Sequence, residues 1–478
     1  MATVEEFIRT YTHAISDRNA AVLVGAGLSI PAGFVNWKDL MRSIASEISL
    51  DVEREHDLVA VAQYHLNERG GRQRINQILV NEFSERAKVT KNHRILARLP
   101  INTYWTTNYD HLLEDALKEE GKRADVKITG ENLATTLSRR DAVVYKMHGD
   151  VSDPTNAVLT KDDYESYSTT RRGKLFSTAL RGDLVSKTFL FLGFSFNDPN
   201  LDYILGRIRV LLEGNRREHY CLMRQVQRAD FKKNADYQYA RTKQELQIRD
   251  LRRYGIVAVM LNSFDDYTIA LQDLEKAYRS RQVFISGSAS TYEPMHENDA
   301  HHFLTLLGKS LAEHGINAIT GFGLGVGPHV INGVLDTLDN EGTNNLSDRL
   351  TLRPFPYAIQ NTKERQARWT SYRKEMISKA GIAIFVFGNK TTESGDIILA
   401  DGMLEEIDIA HKSGLIIIPV GATGYVAKEL HKKVSENYEQ YMPKISGLKT
   451  ALAALNKKGT SSEMVKRIMK VISLVSPK

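Results

Sequence analysis

Four times before residue 200, a short run of apolar, β-prone residues stops at a cluster of glycines or small polar residues. Ala20–Val24 leads into Gly25-Ala26-Gly27-Leu28-Ser29, and Ile101–Trp105 into Thr106-Thr107-Asn108-Tyr109-Asp110. Val143–Met147 leads into His148-Gly149-Asp150, and Thr188–Leu192 into Gly193-Phe194-Ser195-Phe196-Asn197-Asp198. Two further apolar runs follow, Tyr220–Met223 and Val257–Leu261, and amphipathic helical patterns separate the runs. Strands alternating with helices specify a doubly wound parallel sheet. In such a sheet the carboxyl ends of the strands form the edge where ligands bind, so the four clusters are expected to converge on one crevice.

The first cluster has the form of a phosphate turn, in which glycines leave backbone N–H groups bare and Ser29 is placed to cap a following helix. It does not fit the redox dinucleotide fingerprint. Ile30 stands where a third Gly or Ala belongs, and Lys38–Ile48, with Leu40, Met41, Ile44, Ala45 and Ile48 at helical spacing, occupies the place of the second strand and its terminal acid. A dehydrogenase is therefore not expected. Each of the other clusters also has a plain reading taken singly. Thr107, Asn108 and Asp110 can cap a helix, His148 can be a core residue, and Asn197 with Asp198 can form a turn before Pro199. Their common placement on one sheet edge favours the functional reading.

The chain of 478 residues has room for two or three domains, and its 42% hydrophobic and 26% charged content is that of a globular protein. No apolar run reaches the roughly 18 residues of a membrane span, and Met1–Arg9 carries Glu5 and Glu6 in place of a signal-peptide core, so a cytoplasmic protein is expected. One cysteine, Cys221, excludes an intrachain disulfide and a zinc site built on paired cysteines. Its apolar neighbours make it a buried strand residue. The net charge of +6 is moderate, and the basic stretch from Arg216 to Arg253 is interleaved with Asp230, Asp236, Glu245 and Asp250. That is the pattern of a solvated helical face, and nucleic acid is not expected as a partner.

The motif order Gly-Ala-Gly-x-Ser, Thr-Thr-Asn-Tyr-Asp, Lys-x-His-Gly and Gly-Phe-Ser-Phe-x-Asp resembles the sirtuin-type NAD-binding domain over most of residues 15 to 205. The resemblance implies that Gly25, Ala26, Gly27 and Ser29 hold the NAD pyrophosphate, that Asn108 and Asp110 hold the nicotinamide ribose and carboxamide side, and that His148 is the base. Gly193 and Ser195 complete the implied NAD-binding set. Protein deacylases of that family carry a four-cysteine zinc module that shapes the acyl-lysine cleft. A chain with one cysteine lacks it, so no metal is expected and NAD cleavage is favoured over acyl-peptide chemistry. Breaking the nicotinamide glycosidic bond builds oxocarbenium character at the anomeric carbon. An Asn can orient a ribose hydroxyl or water without titrating, and a His can take a proton near neutrality.

Around residue 280 the pattern restarts with Val283–Ala289, which runs into a glycine turn, so two domains are expected, 1–280 and 281–478. A helix is predicted over Glu297–His314, a strand over Asn317–Thr320, then Gly321-Phe322-Gly323-Leu324-Gly325-Val326-Gly327 and a helix from Pro328. Glu341–Asp348 reads as a polar loop. Arg373, the strand Ile382–Phe387, Lys390 and the pair Glu405-Glu406 follow. This run resembles the SLOG domains, Rossmann-like nucleotide binders related to cytokinin-releasing phosphoribohydrolases. Those enzymes place Pro-Gly-Gly-x-Gly-Thr before the two glutamates. Here a longer polar loop, Thr391–Asp401, replaces it, which implies a site that binds a nucleotide without hydrolysing it. Gly287, Ser288, Gly323, Gly325, Arg373, Lys390 and Glu405 are the expected ligand residues. Their plain reading is surface charge and a helix N-terminus that favours acids.

A zinc-free sirtuin-like domain followed by a degraded SLOG domain resembles the NAD-consuming effectors of Thoeris antiphage systems. The resemblance implies NAD hydrolysis switched on by a cyclic ADP-ribose isomer, made by a TIR-domain partner protein, in a homotetramer or larger assembly. A sirtuin-type deacylase or ADP-ribosyltransferase, and a non-catalytic nucleotide sensor, remain as alternatives. The first needs an acceptor cleft. The second has no need of Asn108 and His148 together.

Overall fold

The computed structural model describes residues 1–476 apart from 84–86, 195, 197–200, 203, 207–208, 210–216, 343–345, 347–348 and 357. It divides into two compact units, Met1–Glu275 and Lys276–Lys478, the division falling within the helix Asp265–Ser280.

The first unit is built on seven parallel strands: β1 (Ala20–Val24), β2 (Thr103–Thr106), β3 (Ala124–Lys127), β4 (Ala142–Lys146), β5 (Thr188–Leu192), β6 (His219–Arg224) and β7 (Ile256–Leu261). Their order across the sheet is β3-β4-β2-β1-β5-β6-β7. All five residues of β1 and of β5 are buried, as expected of strands covered on both faces by helices. The chain leaves β1 toward β2 on one side and returns to β5 on the other, so β1 is the topological switch point. The polar clusters after β4, β2 and β1 and the Gly193-Phe194 start of the fourth after β5 share one edge, because these strands are neighbours in the sheet, while Ser195, Asn197 and Asp198 lie outside the described residues. The edge strand β3 is absent from the sequence reading because of its four residues, Ala-Asp-Val-Lys, only two are apolar.

Between β1 and β2 lie the helices Trp37–Glu47, Leu58–Arg69, Gln73–Phe83 and Lys91–Arg98. The first confirms the helical spacing read over Lys38–Ile48. Leu40, Met41, Ile44, Val61, Ile75 and Leu79 from the first three form a core together with Tyr109, Val151 and Leu159. This cluster buries apolar side chains against the loops that follow β2 and β4, and so fixes both loops from one side.

The second unit has five parallel strands, β8 (Gln282–Ser288), β9 (Asn317–Thr320), β10 (Leu350–Leu352), β11 (Ile382–Phe387) and β14 (Ile416–Pro419), ordered β10-β9-β8-β11-β14. The helices Glu297–Glu313 and Gly327–Asn340 pack so closely that a Cβ on Gly308 would strike Val330 O and one on Gly333 would strike Thr305 O. The segment read as a polar loop, Thr391–Asp401, differs from expectation. It contains half of an antiparallel hairpin, β12 (Asn389–Thr391) with β13 (Ile397–Leu399), whose three-residue strands are too short to give a periodic signal. Most of the predicted loop Glu341–Asp348 lies outside the described residues. Among the described residues no helix is long and apolar enough to cross a membrane.

Candidate active site

At the carboxyl edge of the first sheet lies a cavity of about 920 Å³, lined by Gly25, Ala26, Gly27, Ser29, Asn108, Asp110, His148 and Gly193. Ser195 lies outside the described residues. Trp37 and His56 from the helical segment and Arg224 and Tyr267 from the β6 side complete opposite walls. The sequence reading missed these four, since none belongs to a motif and only the fold brings them to the edge.

The glycines of the first loop answer to close backbone packing. Gly25 N–H donates to Leu192 O at 2.9 Å and Gly27 N–H to Gly193 O at 3.0 Å, which lashes the loop to the turn after β5. A Cβ on Gly25 would lie 2.6 Å from Gly193 O, and one on Gly27 2.8 Å from Gly193 Cα. Gly193 itself has φ 62, a left-handed backbone that favours glycine. Leu28 and Ser29 N–H turn inward to Gly25 O and Ala26 O in a short 3₁₀ turn, so four N–H groups of this loop are already engaged.

Ser29 does not cap a helix. Its hydroxyl, on a residue only 2% exposed, donates to Asp110 Oδ2 at 2.7 Å and accepts from Asn108 Nδ2 at 3.0 Å. Asn108 Nδ2 also donates to Gly25 O at 3.2 Å, and Asp110 Oδ1 accepts the Leu112 N–H at 3.0 Å. With both amide hydrogens of Asn108 directed at the glycine loop, its carbonyl oxygen is the atom left to act as an acceptor. His148 is 3% exposed yet lines the cavity, and its ring meets Tyr164 edge to face at 5.6 Å. Tyr164 lines the cavity as well and is a further residue outside the motifs.

Beneath these side chains lies a charge cluster. Lys146, fully buried, reaches the carbonyls of Tyr109 and Asp110, pairs with Asp150 and approaches Glu114 Oε1 to 3.1 Å. Asp150 accepts in addition from His111 at 2.9 Å and from Ser152 N–H at 2.8 Å. Burial alone would raise the Asp150 carboxyl. The His111 hydrogen bond and the Lys146 charge outweigh it and hold that group well below the usual carboxylate range. Burial pushes Glu114 up, against the pull of Lys146. Burial works to lower Lys146, and Glu114 with Asp150 reverse the direction and keep it charged. Among the described residues no group of three or more His, Cys, Asp or Glu side chains is placed to hold a metal ion.

Comparison with known proteins gives a consistent assignment. The family described as "SIR2-like domain" matches residues 102–249, and the "Sir2- and TIR-associating SLOG family" matches residues 266–475. The chain is 48% identical over 477 residues to the NAD(+) hydrolase ThsA of Bacillus cereus (strain MSX-D12), covering 99% of this chain and 98% of that one. It is 46% identical to the NAD(+) hydrolase ThsA of Acinetobacter baumannii (strain 532279), covering 96% of each. The chain belongs to the ThsA family. Defense-associated sirtuin 2 of Bacillus subtilis is a more distant relative, 27% identical over 216 residues, 44% of this chain and 21% of its own.

In the second unit of this ThsA-family chain Gly287 and Ser288 end β8, Gly323 and Gly325 follow β9, Lys390 lies on β12 after β11, and Arg373 and Glu405 lie on two helices. A Cβ on Gly323 would strike Gly287 O and one on Gly325, with φ 68, would strike Ala289 O, so the two glycine turns pack backbone to backbone. Ser288 Oγ donates to Asn389 O at 3.0 Å, beside Lys390, whose ammonium pairs with Asp401 at 2.6 Å. Arg373 in the helix Thr362–Lys379 pairs with Glu405 at 2.6 Å and Glu406 at 3.3 Å on the helix Asp401–Lys412, and lies 5.1 Å from the Phe355 ring centre. Ser286 Oγ donates to Glu406 at 2.6 Å. Arg373 and Glu406 are buried and Glu405 is half-buried, so the three form one ion cluster and not the solvated surface charge of the plain reading. Helix spacing alone does not show that the two helices face each other.

Proposed function

We propose that this chain hydrolyses NAD⁺ to ADP-ribose and nicotinamide in the cavity of its first unit, as part of antiphage defence. The supporting observation is the hydrogen-bonded Ser29–Asn108–Asp110 triad lining the same cavity as His148, in a chain similar over nearly its whole length to NAD(+) hydrolases. The nicotinamide–ribose bond breaks with its electron pair leaving on nicotinamide, and positive charge develops at the anomeric carbon. Asn108 offers its side-chain oxygen to a ribose hydroxyl or to the incoming water. His148 takes the proton as the water oxygen bonds to carbon. The glycines at 25, 27 and 193 leave room for the pyrophosphate to approach the loop, while four of the loop's N–H groups stay engaged within the protein. Release of nicotinamide from NAD⁺ by the purified protein tests the reading. Folded Asn108→Ala and His148→Ala proteins are expected to lose it, and wild-type rates in both would refute the assignment.

The second unit, in this reading, senses a cyclic ADP-ribose isomer supplied by a TIR-domain partner protein and turns hydrolysis on, within a homotetramer or larger assembly. The description of its family as Sir2- and TIR-associating supports the pairing. Gly287, Ser288, Gly323, Gly325, Arg373, Lys390 and Glu405 form the expected contact set, in which a phosphate competes with Glu405 and Glu406 for the Arg373 guanidinium and with Asp401 for the Lys390 ammonium. A ligand must favour the active state by about 5.5 kcal/mol to move a population from 1:99 to 99:1. Nicotinamide release measured against a panel of cyclic ADP-ribose isomers tests this, and release indifferent to every isomer would refute it.

A further inference from the structure

Lys146 is fully buried, and enclosing an ammonium is costly unless its partners have good geometry and specific work for it. Its partners are unusual in where they lie. Two are the backbone carbonyls of Tyr109 and Asp110, next to Asn108 in the loop after β2. A third is the carboxylate of Asp150, two residues past His148 in the loop after β4. The same two loops are joined once more where Val151 N–H donates to Tyr109 O at 3.1 Å. An apolar residue would satisfy packing at the end of β4. Only a long cation with several donors can hold the carbonyls of one loop and the carboxylate of the other at once.

We propose that Lys146 is a positioning residue for NAD⁺ cleavage: through Asp150 and the Tyr109 and Asp110 carbonyls it sets the distance between the Asn108 loop and the His148 loop. It touches no reacting atom. Glu114 Oε1, 3.1 Å from the ammonium, is a second carboxyl partner, so the cation keeps an acidic neighbour when Asp150 is removed. The inference rests on the proposed hydrolysis for its kinetic consequence, while the linkage of the two loops is a property of the protein alone.

Lys146→Met by itself strands two buried carboxylates and invites misfolding, so the main test is the charge-neutral triple variant Lys146→Met/Glu114→Gln/Asp150→Asn. Misplacement of reacting groups by a fraction of an ångström lowers turnover without removing substrate contacts, so kcat for nicotinamide release is expected to fall about 30-fold with KM for NAD⁺ within about threefold of wild type. Amide exchange at Leu112 and Val151, one in each loop, is expected to accelerate together. Asp150→Ala, which leaves Lys146 paired with Glu114, removes the bridge to the His148 loop together with the contacts to His111 and Ser152. It is expected to lower kcat about tenfold, again with KM nearly unchanged. A folded triple or Asp150→Ala variant with wild-type kcat, or with wild-type exchange at both amides, overturns the proposal. If wild-type protein releases no nicotinamide under any condition, the hydrolysis reading fails, and the exchange measurement still decides whether Lys146 joins the loops.

Discussion

Replacing Ser29 with Ala removes one oxygen and tests how the triad is held. That oxygen donates to Asp110 Oδ2 at 2.7 Å and accepts from Asn108 Nδ2 at 3.0 Å. All three residues are buried, with Asn108 8%, Asp110 5% and Ser29 2% exposed, so the lost bonds are replaced poorly by water. A bond to a charged group contributes about 1.5–3 kcal/mol and a neutral one about 0.5–1.5 kcal/mol, giving a loss of about 2–4.5 kcal/mol for the pair. For a unit of this size that lowers the melting midpoint by about 4–12 °C. The Asn108 side-chain amide is then held by its bond to Gly25 O without the second bond to Ser29 and is less firmly oriented. The expected consequence is a kcat for nicotinamide release lower by about 10- to 100-fold, with a smaller change in KM. The assay is calorimetry on the full chain alongside initial rates over a range of NAD⁺ concentrations. Wild-type kcat and melting midpoint in Ser29→Ala would show that neither Asn108 nor Asp110 depends on Ser29, and the triad argument would fall.

Three further outcomes follow from geometry elsewhere. Gly193→Ala places a methyl against Leu28 N in a left-handed backbone, and is expected to destabilise the first unit by about 2–5 kcal/mol from strain and overpacking; a urea midpoint within error of wild type would contradict this. Arg373→Ala leaves Glu406 buried without its cation, at an expected cost of about 3–5 kcal/mol to the second unit. Calorimetry that finds the second unit's transition unmoved would contradict the buried cluster. His219 accepts the Phe189 N–H on Nδ1 at 3.2 Å, and burial, aided by Arg217, lowers its pKa to about 4. The unfolded chain therefore binds this proton first as pH falls. The contribution, about 3 kcal/mol, is fully present above pH of about 6.5 and is lost as pH drops toward 4. Urea unfolding at pH 4.5 and 7 is expected to show this loss, and His219→Gln is expected to flatten the dependence; an equally steep loss in the variant would refute it.

Local chemistry made the core strands and the motif loops legible. β1, β5 and β11 coincide with the apolar runs that announce them, because strands buried on both faces carry their signal in consecutive residues. Asn108, Asp110, His148 and the Gly25–Gly27 turn were legible because each stands directly after such a run, where a parallel sheet has its ligand edge. β3 and the β12–β13 hairpin were not, since their polar or very short strands depend on pairing with a neighbour. The sequence by itself determined that four polar clusters share one sheet edge and that one cysteine forbids a paired-cysteine zinc module. Only the tertiary structure decided what each group touches. It made Ser29 a bridge instead of a cap, turned Arg373 inward onto two glutamates, and tied Lys146 to the loops after β2 and β4. Those partners lie from four to more than eighty residues apart in the chain, and contacts between separate elements leave no periodicity for a sequence to display.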